Sequence, residues 1–215
     1  MRLYLSSFGV GDRPGELVRL LGGGKRVGVV LNAYDYHGAE RRGASLRREF
    51  EALEGLGLEP VEVDLRRYFG AGPEKVREVL AGFDGVYFRG GSVFVLRRAL
   101  RLSGADEVLK ELLADDAIVY AGYSAAACVL GPTLRGIEGE VDDPAFVPDG
   151  YPEGPALWDG LGILPFCVAP HYRSDHPETL EIEQTVQYLI DHHLPFVALR
   201  DGQAIVVEGD DWTVV

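Results

Sequence analysis

Apolar residues along the chain follow two rhythms. Unbroken apolar runs recur at residues 2–6, 26–32, 85–88 and 117–121, as expected of strands buried in a parallel sheet. Between them, apolar positions recur every three or four residues, the spacing of an amphipathic helix. Residues 44–56 illustrate it: Leu46, Phe50 and Leu53 mark one face, while Arg47, Arg48, Glu49 and Glu51 are expected to meet water. The same spacing predicts helices over 14–21, 74–80, 93–102, 105–114 and 177–192. Pro14 and Pro177 suit a first helical turn, and Gly22-Gly23-Gly24 ends the first helix. Residues 60–65 alternate and predict a strand, and a further apolar strand is expected over 162–169. Residues 196–199, 204–208 and 212–215 predict a closing antiparallel hairpin or meander, with turns at Asp201-Gly202 and Gly209-Asp210. Residues 136–155, rich in glycine, proline and acids, predict a long loop near a site.

Alternating strands and helices imply an α/β fold: a three-layer, doubly wound, mostly parallel sheet, with residues 1–215 as one domain. Nearly half the residues are apolar, enough for a sizeable core. A net charge of −13 argues against nucleic-acid or acidic-membrane partners. No apolar stretch is long enough to span a membrane, and the chain opens straight into a strand, so a cytoplasmic location is expected. Cys128 and Cys167 lie in apolar runs without metal spacing and read as reduced core residues. Trp212 near the carboxyl end leaves a homodimer open.

Ligands of such sheets collect beyond the carboxyl ends of the strands. Two motifs fall there: Gly90-Gly91-Ser92, and the turn Gly122-Tyr123-Ser124. The apolar run before Ser124 gives way to Ala125-Ala126-Ala127, a strand turning sharply into a helix. Such an elbow exposes the serine hydroxyl and leaves helix-terminal N–H groups free, as an attacking nucleophile needs. The backbone N–H groups of Gly91 and Ala125 are the candidate oxyanion donors.

A serine nucleophile needs a base, and the base an orienting carboxylate. Of five histidines, His171 follows an apolar strand and Pro170, at the edge where Ser124 is expected. His37 is a second candidate; His176 reads as a surface residue, and His192-His193 as a helix terminus. Asp201 ends another strand, with Asp175 and Glu208 as alternatives. Arg89 and Arg173 flank the two motifs, and with Ser92 and Tyr123 are candidate substrate contacts. No histidine pair has convincing metal spacing, so neither metal nor cofactor is expected.

The ordered set Tyr87-Phe-Arg-Gly-Gly-Ser92, Ala121-Gly-Tyr-Ser-Ala125, Val168-Ala-Pro-His-Tyr172 and Leu199-Arg-Asp-Gly-Gln203 resembles the peptidase E (α-aspartyl dipeptidase) and cyanophycinase family of serine peptidases. The resemblance covers nearly the whole chain. It implies a flavodoxin-like fold similar to class I glutamine amidotransferases, with a serine in place of their cysteine. It implies Ser124 as nucleophile, His171 as base, Asp201 where that family often has glutamate, and Gly91 in the oxyanion turn. The order serine, histidine, acid differs from that of the α/β-hydrolases. The implied activity is hydrolysis of short peptides, dipeptides with an amino-terminal aspartate first among them. Two departures stand out: Ala126 where the family has glycine, and Ser92 where it often has asparagine. They leave open a homologue that binds small molecules without catalysis, or a hydrolase of another amide such as a β-aspartyl linkage.

Overall fold

The computed structural model describes residues 1–139 and 142–215. Seven strands form the main sheet in the order β3-β2-β4-β5-β1-β8-β9. They are β1 (Arg2–Ser6), β2 (Arg26–Val30), β3 (Glu59–Glu62), β4 (Gly85–Phe88), β5 (Val119–Tyr123), β8 (Ala204–Glu208) and β9 (Asp211–Val214). The first five run parallel, whereas β8 pairs antiparallel with β1 and β9 antiparallel with β8. The mostly parallel sheet and the antiparallel carboxyl-terminal edge are those the apolar pattern predicts.

The period of two along each strand sorts its side chains to opposite faces. Tyr4, Val29, Tyr87, Val119 and Ala121 join Leu17 and Leu20 of α1 (Pro14–Leu20) and Leu53 of α2 (Ala39–Glu54). Leu3, Leu5, Val30, Val86, Phe88 and Tyr120 face the other way. There they meet α3 (Pro73–Leu80), α4 (Val93–Ser103), α5 (Ala105–Ala114) and α6 (Ala125–Cys128). Cys128 and Cys167 are free and buried.

Three expectations change, and two short turns are added. Residues 196–199 do not join the closing hairpin. β7 (Phe196–Ala198) pairs in parallel with β6 (Cys167–Ala169) as a separate two-stranded sheet. This small sheet packs on α7 (Thr179–Asp191) through Ala169, Ile182 and Val186. The strand expected over 162–169 shortens to β6. The amides of Leu161, Gly162, Ile163 and Leu164 donate to carbonyls of Val129, Leu130 and Gly131, and Pro165 has no N–H to give. Glu49, expected to meet water, is 8% exposed and accepts a 2.8 Å hydrogen bond from the Tyr123 hydroxyl. Two 3-10 turns, Asn32–Tyr34 and Leu65–Tyr68, follow β2 and β3 without having been anticipated.

The predicted loop 136–155 includes positions 140 and 141, which lie outside the described residues. Farther along it, the half-buried Asp142 accepts a 2.6 Å hydrogen bond from the Val93 amide at the start of α4. Burial pushes the Asp142 carboxyl up to about 7, against the pull of that amide. Among the described residues, no helix is long and apolar enough to cross a membrane. Trp212 is 49% exposed and rests on Phe166.

Candidate active site

The carboxyl ends of three adjacent strands, β4, β5 and β1, converge on one rim of the sheet. β5 ends at Tyr123, and Ser124 turns the chain into α6 with φ 53° and ψ −117°. A β-carbon does not rest easily in that region, so neighbouring structure must hold the turn. Gly122 makes it feasible: a Cβ there would lie 2.5 Å from the Phe88 carbonyl oxygen and 2.7 Å from the Ala126 methyl. Ala126 is therefore accommodated, because its methyl fills space that Gly122 leaves empty.

β4 delivers Gly90 and Gly91 beside the elbow. A Cβ on Gly90 would come 2.9 Å from the Ser124 Cβ, so the two turns are in direct contact. Gly91 has φ 141°, and a Cβ there would sit 2.4 Å from the Ala33 carbonyl oxygen. Both conditions require glycine. Among the described residues, neither the Gly91 nor the Ala125 amide donates a hydrogen bond. Both donors stay unspent beside the Ser124 turn.

β1 delivers Ser7, which sequence reasoning missed. The Ser7 hydroxyl donates to Asp201 Oδ1 at 2.7 Å and accepts from the His171 amide at 2.8 Å. His171 Nδ1 lies 2.7 Å from the same Asp201 oxygen. A carboxylate can only accept, so Nδ1 carries the proton and Nε2 keeps its lone pair. The Ser174 hydroxyl accepts from the Asp201 amide at 2.8 Å, and the Thr179 hydroxyl donates to the His171 carbonyl at 3.0 Å. These bonds hold His171 at φ 59°, a second left-handed residue in the site. Asp175 is exposed, and Glu208 pairs with Arg19 at 2.6 Å on the surface.

Ser124 and His171 line one cavity of about 200 Å³ together with Gly90, Gly91, Arg89 and Tyr123. No hydrogen bond joins the Ser124 hydroxyl to the His171 ring among the described residues. In free enzymes such contacts are often long and tighten only with substrate. The rest of the wall comes from Phe8, Tyr34, Tyr36, His37, His176 and Glu178. Of these, sequence reasoning weighed only the two histidines.

His176, expected at the surface, stacks on His171 with ring centroids 3.7 Å apart and 7° between planes. Phe8 closes over both rings at 5.9 and 5.6 Å. Burial lowers the His171 pKa, the neighbouring His176 lowers it further, and Asp201 opposes both. His171 is thus held neutral, with a free lone pair, as a general base requires.

Of the four candidate substrate contacts, Arg89 and Tyr123 reach the cavity. Arg89 lies over the Tyr34 ring at 3.5 Å, donates from Nε to the Ser45 hydroxyl at 2.8 Å and from Nη1 to the Gly90 carbonyl. Its Nη2 makes no hydrogen bond among the described residues. Ser92 is spent elsewhere: it caps α4 by accepting from the Val95 amide. Arg173 points outward, 61% exposed, beside Glu183 at 3.8 Å.

His171, His176 and Glu178 offer ligand atoms within 4.8 Å of one another, the spacing of a metal-ligand set. The stacked rings do not suit one ion, however. An imidazole lone pair lies in its ring plane, and two planes 7° apart do not meet at a single ion.

The model of peptidase family S51 matches residues 40–215. The chain belongs to that family. It is 32% identical over 124 residues to an uncharacterized peptidase of Listeria innocua, covering 58% of this chain and 54% of that protein. It is 32% identical over 133 residues to peptidase E of Streptomyces coelicolor, covering 59% and 50%. It is 29% identical over 142 residues to a probable alpha-aspartyl dipeptidase of Drosophila melanogaster, covering 64% and 53%. The matched stretch thus spans about half the length of these curated relatives. Among solved structures, a putative peptidase E protein from Listeria monocytogenes shares the fold. Its TM-score is 0.78 at 22% identity, covering 100% of this chain and 97% of that one.

Proposed function

We propose that this S51 chain is a serine peptidase of short peptides that works through an acyl-enzyme. The observation that carries the reading is the 2.7 Å contact between His171 Nδ1 and Asp201, in the cavity where the strained Ser124 turn sits. Ser124 Oγ attacks the carbonyl carbon of the first residue while His171 Nε2 takes the hydroxyl proton. The oxyanion lies against the Gly91 and Ala125 N–H groups. The C–N bond breaks as His171 returns the proton to the leaving amine. Water then attacks the ester, giving its proton to His171, and Ser124 Oγ leaves as the hydroxyl.

A cavity of about 200 Å³ is smaller than the roughly 300–1,000 Å³ of drug-sized sites, which favours the end of a peptide over its middle. An amino-terminal aspartate is the first side chain to test. Arg89 is oriented by Tyr34 and Ser45 and keeps Nη2 for a carboxylate.

The test is a panel of Asp-X, β-Asp-X and neutral dipeptides, with wild type and Ser124→Ala. Wild type should cleave Asp-X fastest, and Ser124→Ala should lose about 10³-fold or more in kcat. Equal rates for the two proteins would show that another group does the chemistry.

A further inference from the structure

The cavity holds one acidic side chain that the chemistry above does not use. Glu178 lies at the mouth of α7, between His176 and the first turn of the helix. Its backbone is tied on both sides: its amide donates to His176 Nδ1 at 3.3 Å, and its carbonyl accepts from the Ile182 amide at 3.0 Å. The side chain is therefore presented from a fixed base. Its carboxylate lines the cavity with Ser124, half-buried, and among the described residues it has neither a hydrogen bond nor an ion pair.

A half-buried carboxylate without a donor is costly, and burial raises the Glu178 pKa accordingly. His176 and Arg89 pull that pKa back down in part, but among the described residues neither bonds the carboxylate. Arg89 is directed to Ser45, Gly90 and Glu49. Among the described residues, His176 accepts the Glu178 amide on Nδ1 and makes no bond to its carboxylate. The missing partner is a cation that arrives with the substrate.

We infer that Glu178 receives the free α-ammonium group of the substrate's first residue, which makes the site specific for peptides with an unblocked amino terminus. This rests on the peptidase reading above and adds the group that sets where the chain is cut. Covalent geometry supplies the ruler. An N–Cα bond of about 1.46 Å and a Cα–C bond of about 1.52 Å at about 111° put a residue's carbonyl carbon roughly 2.5 Å from its own nitrogen. A Glu178 oxygen lies within 4.8 Å of a His171 ring nitrogen. An ammonium in contact with that oxygen keeps the first carbonyl beside the base. The next carbonyl falls about 3.8 Å farther along an extended chain, beyond it. The cut therefore follows the first residue. An N-acetyl group removes the charge and adds bulk at the point of contact.

The experiment compares kcat/KM for a cleaved dipeptide and its N-acetyl form, in wild type and Glu178→Gln. Alongside, an aminoalkyl phosphonate diphenyl ester with a free amino group is used to label Ser124 in the wild type. Wild type should prefer the free peptide by about 10- to 100-fold, the worth of one charge-assisted contact. Glu178→Gln should lose most of that preference, mainly through KM. If wild type labels at Ser124 and cleaves both forms equally, or Glu178→Gln keeps the full preference, the assignment of Glu178 is wrong while the peptidase reading stands. If wild type neither labels nor cleaves any member of the panel, the peptidase reading fails and this inference with it.

Discussion

Ser7→Ala removes a single oxygen that two parts of the site share. In the folded protein that oxygen donates to Asp201 at 2.7 Å and accepts from the His171 amide at 2.8 Å. Losing a hydrogen bond to a charged group costs about 1.5–3 kcal/mol, and orphaning a buried N–H costs about 1–3 kcal/mol. Ser7 is fully buried, so its hydroxyl no longer needs desolvation in the variant, which offsets part of the sum. The net expectation is a destabilisation of about 2–4 kcal/mol. For a chain of this size that lowers Tm by roughly 5–15 °C. The backbone pairing of Ser7 with Gln203 survives, so the strand ends stay in place. Asp201 keeps its contact with His171 but loses its brace, and kcat/KM should fall by about 10- to 100-fold as the imidazole loosens. Thermal melts and dipeptide kinetics on the same preparation measure both. A Tm within 1 °C of wild type would refute the idea that this hydroxyl joins β1 to the His171 loop.

Three other outcomes follow from the same geometry. Asp201→Asn keeps the shape but can present an N–H to Nδ1, which favours the wrong tautomer; kcat should drop by about 10³–10⁴-fold with little change in melting. Protonated His171 cannot act as base, and burial lowers its pKa. The acid limb of kcat/KM should therefore fall below the ordinary histidine value of about 6.5, and a limb at or above it would contradict that burial. Gly91→Ala must move a backbone whose new Cβ would sit 2.4 Å from the Ala33 oxygen, so kcat should fall by about 10²–10³-fold as one oxyanion donor shifts. Unchanged kcat in that variant would remove Gly91 from the site.

Much of the frame was legible from residue order, because it rests on local periodicity. The runs at β1, β2, β4 and β5 are apolar on both faces, and the faces sort as a two-residue period demands. The Gly122-Tyr123-Ser124 turn is equally local: only a residue without a side chain fits beneath Phe88, and the small residues after it suit a helix packed close to the sheet. His171 and Asp201 could be suspected because each follows an apolar strand. Where those strands pair was not legible. Asp201-Gly202 resembles a hairpin turn, yet it links β7, paired with β6, to β8 of the main sheet. Parallel pairing is decided by contacts distant in sequence, which no local turn signal reports.

The rest of the cavity wall, and the brace behind it, belong to the tertiary structure. Ser7, Phe8, Tyr34 and Glu178 carry no motif, and His176 offers only its short interval from His171. They meet because loops after β1, β2 and β6 are carried to one rim by the sheet order. The chain's own order of residues determines the layered fold and the serine turn, since propensity and periodicity act over a few residues. Folding alone decides which polar groups end up unpaired around that serine, because burial and hydrogen-bond satisfaction depend on partners from distant parts of the chain.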